Sequence, residues 1–360
     1  MKVSLSSPNE LTSSDRECWT RMLGETEMFS PFMTPEFVLE ASKAIADVHI
    51  LKVEDSSGPV AFLPFQWTGP KTAAPVANGL NEFQAAVIRP GIEFSLVDWL
   101  REAGISTLSY DHWTTSQTEM APYHLHVGSA PYIDLSGGYE KYREIAKTRT
   151  SYVTKVERQQ RQLERTVGPV RMELRSEDDS LFQLLLKWKS QQHHDTGVAD
   201  IFQQESIVEL LRRMKNTKTA NFQGLYSVLF ANDTPIAVNL SLATPQVAHI
   251  WFPSYDRDFG KYSPGIILFL EMAKKLSQQQ VQRVDFGPGP QQYKRRLASD
   301  ASSVAIGAVD CSSTKRIARR TWYQTRQWLK QNQFGSGLAA SARLLSRTRQ
   351  WFDWRKKQPT

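Results

Sequence analysis

The sequence predicts an α+β fold built as two similar halves with mixed central sheets, followed by a basic helical tail. Three observations lead to this prediction. Two strand–turn–strand patterns occur, a Pro-Gly step followed by a helical stretch and an Asp-ended strand occurs twice, and positive charge gathers in residues 311–360. Antiparallel hairpins combined with a helix between strands indicate a mixed sheet covered by helices.

One hairpin is predicted in each half. Residues 48–54 alternate apolar and polar side chains, pass through an Asp-Ser-Ser-Gly turn and return over residues 59–67. Residues 225–230 pass through an Ala-Asn-Asp-Thr turn and return over residues 235–242. A polar turn between two short strand-like runs is typical of a β-hairpin.

A Pro-Gly step precedes a predicted helix in both halves, at residues 90–91 and 264–265. A strand follows each helix and ends at Asp111 and Asp285, 20 residues after the glycine. Both features recur at an offset of 174 residues. The same order of elements at the same offset indicates an internal duplication.

We divide the chain into four segments on this basis. Residues 1–138 are expected to form a degenerate first half, and residues 139–167 a long polar linking helix. Residues 168–310 form the second half, and residues 311–360 a basic amphipathic tail.

Composition narrows the class of protein. No run of about 18 apolar residues occurs, and the first residues lack the apolar core of a signal peptide, so we expect a cytoplasmic protein without a transmembrane helix. Only two cysteines occur, Cys18 and Cys311, which argues against a disulfide scaffold. The net charge of +7 divides into +11 in the tail and −4 elsewhere. Electrostatic contact with nucleic acid or membrane is therefore expected of the tail alone.

A loop between an aromatic-rich strand and an apolar helix is the candidate anion site. It contains Gly260, Lys261, Tyr262, Ser263, Pro264 and Gly265. Unpaired N–H groups and the dipole at a helix N-terminus favour an anion, and glycine lets a phosphate approach the backbone. The alternative is an ordinary turn with Ser263 as N-cap and Pro264 at the first helical position.

Several separated segments resemble the GNAT acyltransferase superfamily. They are FPSYDRDFGKYSPG (252–265) with the helix after it, DFGPGPQQYKRRLA (285–298) and SAPYIDLSGGYEKY (129–142). The resemblance covers roughly residues 30–310. It is to a bacterial branch found beside polysaccharide and cellulose biosynthesis genes, related to the Fem-type peptidyltransferases with their two GNAT-like halves.

The resemblance implies that two central strands separate and that acetyl-CoA or another acyl-CoA lies between them as co-substrate. Its pyrophosphate would contact residues 260–265 of the second half. The implied activity is N-acyl transfer to an amino sugar or related small amine in cell-surface polysaccharide metabolism. Fem-type relatives use aminoacyl-tRNA, so a tRNA-dependent transferase is one alternative, and a non-catalytic scaffold at the inner membrane is another.

Acyl transfer to an amine requires removal of a proton, stabilisation of an oxyanion and protonation of the leaving thiolate. Asp285 is the candidate base, acting through water, or the group that orients the acceptor; alternatively it caps the following turn. Tyr255 is the candidate proton donor to the thiolate, or a packed core residue. Tyr293 and Lys294 can close over the donor or acceptor, with Lys294 assigned to the donor. A solvated basic turn is the alternative for Lys294.

The sequence His193-His194-Asp195 raises the question of a metal. Adjacent side chains on a helix point about 100° apart, and no second cluster of ligands is present in the sequence, so we expect no metal site.

The tail is the candidate for contact with a surface. Residues 315–330 and 338–357 are basic and helix-compatible, and they carry four tryptophans: Trp322, Trp328, Trp351 and Trp354. This pattern suits peripheral association of residues 315–357 with an anionic inner membrane, or an acidic partner. Packing on the body of the protein is one alternative, and RNA, including tRNA, is another, although no RNA-binding motif is present.

Overall fold

The computed structural model describes residues 1–26 and 29–331, so the predicted helix at 338–357 lies outside the described residues. The first elements are β1 (Lys2–Ser6), α1 (Ser13–Gly24), α2 (Pro35–Ser42), β2 (Val48–Asp55), β3 (Gly58–Gly69), β4 (Thr72–Ala74), β5 (Val87–Ile88), α3 (Leu96–Glu102), β6 (Thr107–Thr114) and β7 (His124–Asp134).

The chain continues with a second set of helices and strands. They are α4 (Tyr139–Arg149), α5 (Tyr152–Thr166), β8 (Val170–Glu173), α6 (Asp179–Thr196), α7 (Glu205–Asn216), β9 (Gln223–Ala231), β10 (Thr234–Ala243), β11 (Val247–Tyr255), α8 (Pro264–Gln278), β12 (Arg283–Asp285), α9 (Gln292–Leu297), β13 (Asp300–Asp310) and α10 (Ser313–Gln331). Both predicted hairpins are confirmed, as β2–β3 and β9–β10. None of the described helices has the length and apolar content needed to cross a bilayer.

The strands of the described chain form one mixed sheet in the order β1-β2-β3-β4-β6-β13-β7-β12-β11-β10-β9-β8, with β5 paired to β3. The same pairing pattern runs inward from both edges. Four antiparallel strands lead to a parallel pair, β4 with β6 on one side and β11 with β12 on the other. A helix connects the strands of each parallel pair, as a parallel connection requires.

The two sides of the sheet exchange their innermost strands. β7 precedes the linking segment in sequence but pairs with β12, whereas β13, the last strand along the described chain, lies beside β6. β7 and β13 also pair with each other, from Tyr132↔Asp300 to His124↔Gly307. Residues 1–309 therefore form one compact unit, and a second unit begins at Asp310. The predicted boundary at residue 138 falls within the first unit.

Apolar side chains divide between the two faces of the sheet because successive residues of a strand point in opposite directions. Along β10, Val238, Leu240 and Leu242 join a core with side chains from α1, α2, α6 and α7. On the other side, Ala237 and Ala243 join a core with side chains from α4, α5 and α8. Helices on both faces bury the sheet that positions the candidate site.

The single helix predicted over residues 139–167 is wrong in one respect, because two helices occupy this segment. α4 ends before Thr150, whose backbone is extended at φ −158° and ψ 146°. The Thr150 hydroxyl accepts a hydrogen bond from the Tyr152 amide at 3.2 Å. Serine and threonine side chains compete with helical hydrogen bonds in this way, so the Thr150-Ser151 pair separates the two helices.

The helix predicted directly after the first Pro-Gly step also begins later than expected. Gly91 has φ +79° and lies in a turn, and α3 starts only at Leu96, where the Ser95 hydroxyl accepts from the Asp98 amide. A left-handed residue cannot continue a right-handed helix, and the capping serine sets the new start. In the second half, by contrast, α8 begins at Pro264 as predicted.

We predict that Gly224→Ala destabilises the protein strongly. A Cβ at Gly224 in β9 would overlap the backbone carbonyl of Met214 in α7, which cannot move without shifting the helix. We expect the free energy of unfolding to fall by about 1–3 kcal/mol, as for other overpacked sites. Chemical denaturation measures this change.

Gly24→Ala is the matched control, because a Cβ at the end of α1 would have no atom within 4 Å. Alanine is a better helix former than glycine by up to ~1 kcal/mol, so this variant should be neutral or slightly more stable. Equal losses in both variants would contradict the predicted overlap.

Candidate functional site

An opening between β11 and β12 is the main feature of the second half. The two strands pair in parallel only from Val247↔Arg283 to His249↔Asp285. β12 then ends, whereas β11 continues for six residues to Tyr255. The pairing of the two strands therefore ends at His249, and we call the interruption between this point and the loop that leads into α8 the opening.

A β-bulge lies in β11 beside this opening. Leu240 of β10 pairs with Phe252 and Ser241 pairs with Ile250, so Trp251 is the extra residue on β11. Its indole N–H donates to the Leu80 carbonyl oxygen at 2.8 Å. Bulges change the direction of a strand and are common near active sites. Here the bulge coincides with the point where β11 leaves β12.

The corresponding edge in the first half is occupied. The Gln84 amide donates to the His112 carbonyl at 2.9 Å, and the Thr114 amide donates to the Gln84 carbonyl at 2.8 Å. The Gln84 side-chain oxygen accepts from the amides of Asp111 and His112, each at 3.1 Å. Gln84 thus fills the place beside β6 that lies open beside β11.

The loop predicted to hold the donor lies at the outer end of the opening. Ser263 takes a left-handed conformation at φ 57°, and its side chain makes no capping hydrogen bond to α8. Pro264 is the first helical residue, and Lys261 is exposed, with its carbonyl accepting from Gln159 Nε2 at 2.8 Å. Ser263 thus occupies the N-cap position without satisfying the helix N-terminus.

Tyr255 belongs to this loop rather than to the closed end of the opening. A Cβ at Gly265 would lie 3.6 Å from Cδ1 of Tyr255, and one at Gly260 would lie 3.9 Å from its Cε2. Tyr262 is buried beneath the loop. Tyr255 is six residues from His249, or about 20 Å along an extended strand. This separation argues against the predicted role of Tyr255 as proton donor to a thiolate near Asp285.

A carboxylate–imidazole pair lies at the closed end of the opening. Oε2 of Glu82, from the segment between β4 and β5, is 2.8 Å from Nε2 of His249 on β11. The His249 side chain is 1% exposed, whereas that of Glu82 is 28% exposed. Phe32 contacts the imidazole edge-on at 4.9 Å. Nε2 donates to the carboxylate in this geometry. Because the Glu82 side chain is partly exposed, a ligand can reach it.

Gly287 makes this pair possible. It follows β12 with φ +68°, and a Cβ there would overlap the Glu82 carboxylate and lie 3.1 Å from Nε2 of His249. Only glycine combines this backbone conformation with so close an approach. The glycine of the Asp-Phe-Gly sequence is therefore required for Glu82 and His249 to pack against it.

Asp285 lies behind His249, not on the surface of the opening. It is 2% exposed, and its Oδ1 accepts from Arg283 Nε at 2.7 Å and Nη2 at 2.6 Å. Burial raises the pKa of Asp285, and Arg283 and His249 oppose this shift. Within the described residues, Oδ2 of Asp285 and Nδ1 of His249 are buried without a hydrogen-bond partner.

Two lysines complete the cluster around Glu82. Lys294 on α9 is 6% exposed and donates to the Pro288 carbonyl at 2.8 Å. Burial lowers the pKa of Lys294, with Glu82 opposing. Burial also lowers the pKa of Lys189 on α6 to about 8, while the charge of Glu82 raises it and that of Lys294 lowers it.

Tyr293 packs beside these groups. Its ring stacks on Phe269 at 5.7 Å and meets Phe286 edge-on at 6.1 Å. Burial raises the pKa of Tyr293, so the phenol keeps its proton at neutral pH. The structure therefore brings Asp285, Tyr293 and Lys294 together at the closed end and places residues 255–265 at the other.

The sequence did not single out Glu82, His249 or Lys189. Glu82 and His249 are 167 positions apart and belong to different halves, and neither lies in a recognisable motif. The only available signal was a histidine within an aromatic strand, which is more often a packed core residue.

The histidine pair on α6 is not part of this cluster. Nδ1 of His193 is 2.9 Å from the Ala199 carbonyl oxygen, and Asp195 pairs with Arg257. Residues 1–26 and 29–331 contain no group of three or more His, Cys, Asp or Glu side chains that could hold a metal ion.

Residues 148–295 match the family model for the acetyltransferase (GNAT) domain. This range runs from the end of α4 through β12 to Arg295 and includes the whole opening. The chain therefore contains a GNAT acetyltransferase domain and is an acyltransferase. No curated protein matches the sequence.

Solved structures with the same fold extend over both halves. FemX superposes with a TM-score of 0.61 at 8% identity, covering 89% of this chain and 99% of that chain. The C-terminal domain of a putative lysylphosphatidylglycerol synthetase from Agrobacterium fabrum gives 0.54 at 13% identity, covering 87% and 96%. A conserved protein of unknown function from Bacteroides thetaiotaomicron gives 0.55 at 8%, covering 85% and 100%. At such identities the likeness shows the fold alone, and the predicted α+β tandem GNAT-like fold is confirmed.

We predict opposite shifts of the Lys189 pKa in two variants. Glu82→Gln removes a charge that favours the ammonium, so the pKa should fall below about 8. Lys294→Met removes a repelling cation, so it should rise above that value. NMR titration of isotopically methylated lysines measures both. Glu93→Gln, which alters an exposed carboxylate just before α3, is the control. Shifts of the same sign in the first two variants would contradict the cluster.

Proposed function

We propose that the protein transfers an acyl group from a donor held between β11 and β12 to an amine acceptor. The observation that carries this proposal is the Glu82–His249 pair beside Lys294 at the closed end of the opening. An accessible carboxylate next to a buried ammonium supplies a base for the amine and a positive charge for the oxyanion.

We propose acyl-CoA, with an acetyl or longer chain, as the donor. The N-terminus of α8 lacks a side-chain cap. Pro264 has no N–H, and the amides of Ile266 and Ile267 donate to the Ser263 carbonyl, so the Gly265 N–H is the group left to bind a pyrophosphate. Lys261 is the mobile cation, while Gly260 and Gly265 leave the backbone accessible. About 20 Å of strand separates this loop from His249, which suits a long, extended donor. Tyr255 would contact the pyrophosphate end.

The reaction follows from the arrangement at the closed end. The amine nitrogen attacks the thioester carbonyl carbon, and the Glu82 carboxylate accepts the nitrogen's proton. Lys294 stabilises the tetrahedral oxyanion, which collapses and breaks the C–S bond. The Tyr293 phenol gives its proton to the leaving thiolate and regains one from solvent. Asp285 does not contact the acceptor; it is paired in register with His249, which holds Glu82.

The acceptor is proposed from the sequence resemblance. We propose an amino sugar or a related small amine of cell-surface polysaccharide metabolism, modified in the cytoplasm. An aminoacyl-tRNA donor is the second candidate, favoured by the exposed cations Arg295 and Arg296 on α9. Phosphate-rich RNA requires such basic surface, and its binding weakens steeply with salt.

Donor binding is the first prediction that follows from this proposal. Titration calorimetry should show saturable binding of acetyl-CoA or a longer acyl-CoA, and Gly265→Glu should abolish it by adding bulk and negative charge. Gly24→Glu adds the same side chain at the end of α1, where a Cβ would have no atom within 4 Å, and should leave binding intact. Absence of binding to every acyl-CoA by the folded protein would refute the CoA donor and favour charged tRNA.

Catalysis is tested separately through Glu82. Glu82→Gln should lower kcat/KM for acyl transfer to an amine such as glucosamine by about 10²–10⁴-fold, the usual contribution of a general base. Donor affinity should stay unchanged, because Glu82 lies at the far end from the loop. Glu93→Gln is the control. Undiminished turnover in Glu82→Gln would exclude Glu82 as the base.

A further inference from the structure

The helix α10, in the unit that begins at Asp310, has two chemically distinct sides. With 3.6 residues per turn, its apolar side chains fall within an arc of about 140°; they are Ile317, Ala318, Trp322, Trp328 and Leu329. Four of them are exposed, Ile317 at 63%, Trp322 at 62%, Trp328 at 59% and Leu329 at 39%. Exposed large apolar side chains gathered on one helix face indicate an interaction surface.

The opposite side of α10 is cationic. It carries Lys315, Arg316, Arg319, Arg320 and Arg326, and the sequence from Ser313 to Gln331 contains no acidic residue. Arg319 forms a two-point ion pair with Asp310, the first residue of the same unit, at 2.7 and 3.0 Å. Arg326 lies 5.3 Å from the centre of the Trp322 ring, at the border between the two sides.

We infer that α10 lies in the surface of an anionic lipid bilayer. The apolar arc would enter the boundary between headgroups and acyl chains, where tryptophan is favoured because its ring is apolar and its N–H polar. The cations on the other side would reach the lipid phosphates, since long basic side chains extend toward the headgroups. This inference is independent of the proposed acyl transfer.

RNA is a weaker match to the same helix. Arginine and tryptophan can stack on bases and contact phosphates. RNA binding does not, however, require aliphatic side chains such as Ile317 and Leu329 on the side away from most cations. The separation of an apolar arc from a cationic one is typical of a helix at a membrane surface.

Vesicle sedimentation of the full chain tests the inference. The protein should bind vesicles that contain phosphatidylglycerol and bind pure phosphatidylcholine vesicles much more weakly. Lys315→Gln with Arg320→Gln should weaken binding roughly 30-fold, from the known effect of two cations near an anionic surface. Ile317→Ala with Trp322→Ala should weaken it about tenfold or more, because apolar area no longer leaves water.

Two matched controls carry equivalent changes elsewhere. Arg158→Gln with Arg165→Gln alters exposed cations of α5, and Ile145→Ala with Val198→Ala alters exposed apolar side chains. Both controls should bind as the unchanged protein does. Binding that is equal for all variants, or equal for both lipid compositions, would overturn the inference. Absence of vesicle binding with RNA binding that the α10 variants abolish would overturn it in favour of RNA.

Discussion

The pairing of β7 with β13 is the interaction on which the rest of the structure depends. It joins two sets of strands into one sheet and places β7 beside β12, in register from Asp134↔Arg283 to Tyr132↔Asp285. Because β12 also pairs with β7, the sheet stays continuous although β11 pairs with β12 over only three residues. The same continuity brings the segment after β4 next to β11, where Glu82 meets His249 and Leu80 meets Trp251. The opening and its polar end are therefore products of one exchange of strands.

The two halves of the sheet differ through one segment, residues 75–86. In the first half, Gln84 completes the hydrogen bonds of β6 with both its backbone and its side chain, so no space remains between the parallel strands. Two positions earlier, the same segment extends Glu82 to the second half. Because residues 75–86 fill the place beside β6, a donor cannot bind between the parallel strands of the first half. The first half thus contributes Glu82 to the second half and has no equivalent opening of its own.

The sequence predicts the helices and strands, but it does not predict the contacts between the two halves. Hairpins, the start of α8 at Pro264 and the strand ending at Asp285 follow from local patterns, because turn residues, proline and alternation act over a few positions. The exchange of β7 and β13 cannot be predicted from local patterns, because the sequence pattern of a strand does not depend on which strand it pairs with. Glu82 and His249 were missed for the same reason. Asp285 was found because it ends a strand, but its burial behind His249 depends on the register of β12 with β11 and β7.

The charges at the closed end indicate what this site can stabilise. Burying a charge is costly unless it is compensated, and Asp285 forms an ion pair with Arg283. Glu82 is a single carboxylate near two ammonium groups, Lys189 and Lys294, both with a lowered pKa. With both lysines protonated, the cluster has one positive charge in excess, and burial makes that excess unfavourable. A ligand that develops negative charge there would relieve it. The oxyanion and the thiolate of acyl transfer are such species, whereas a cationic intermediate would be opposed by the same two lysines.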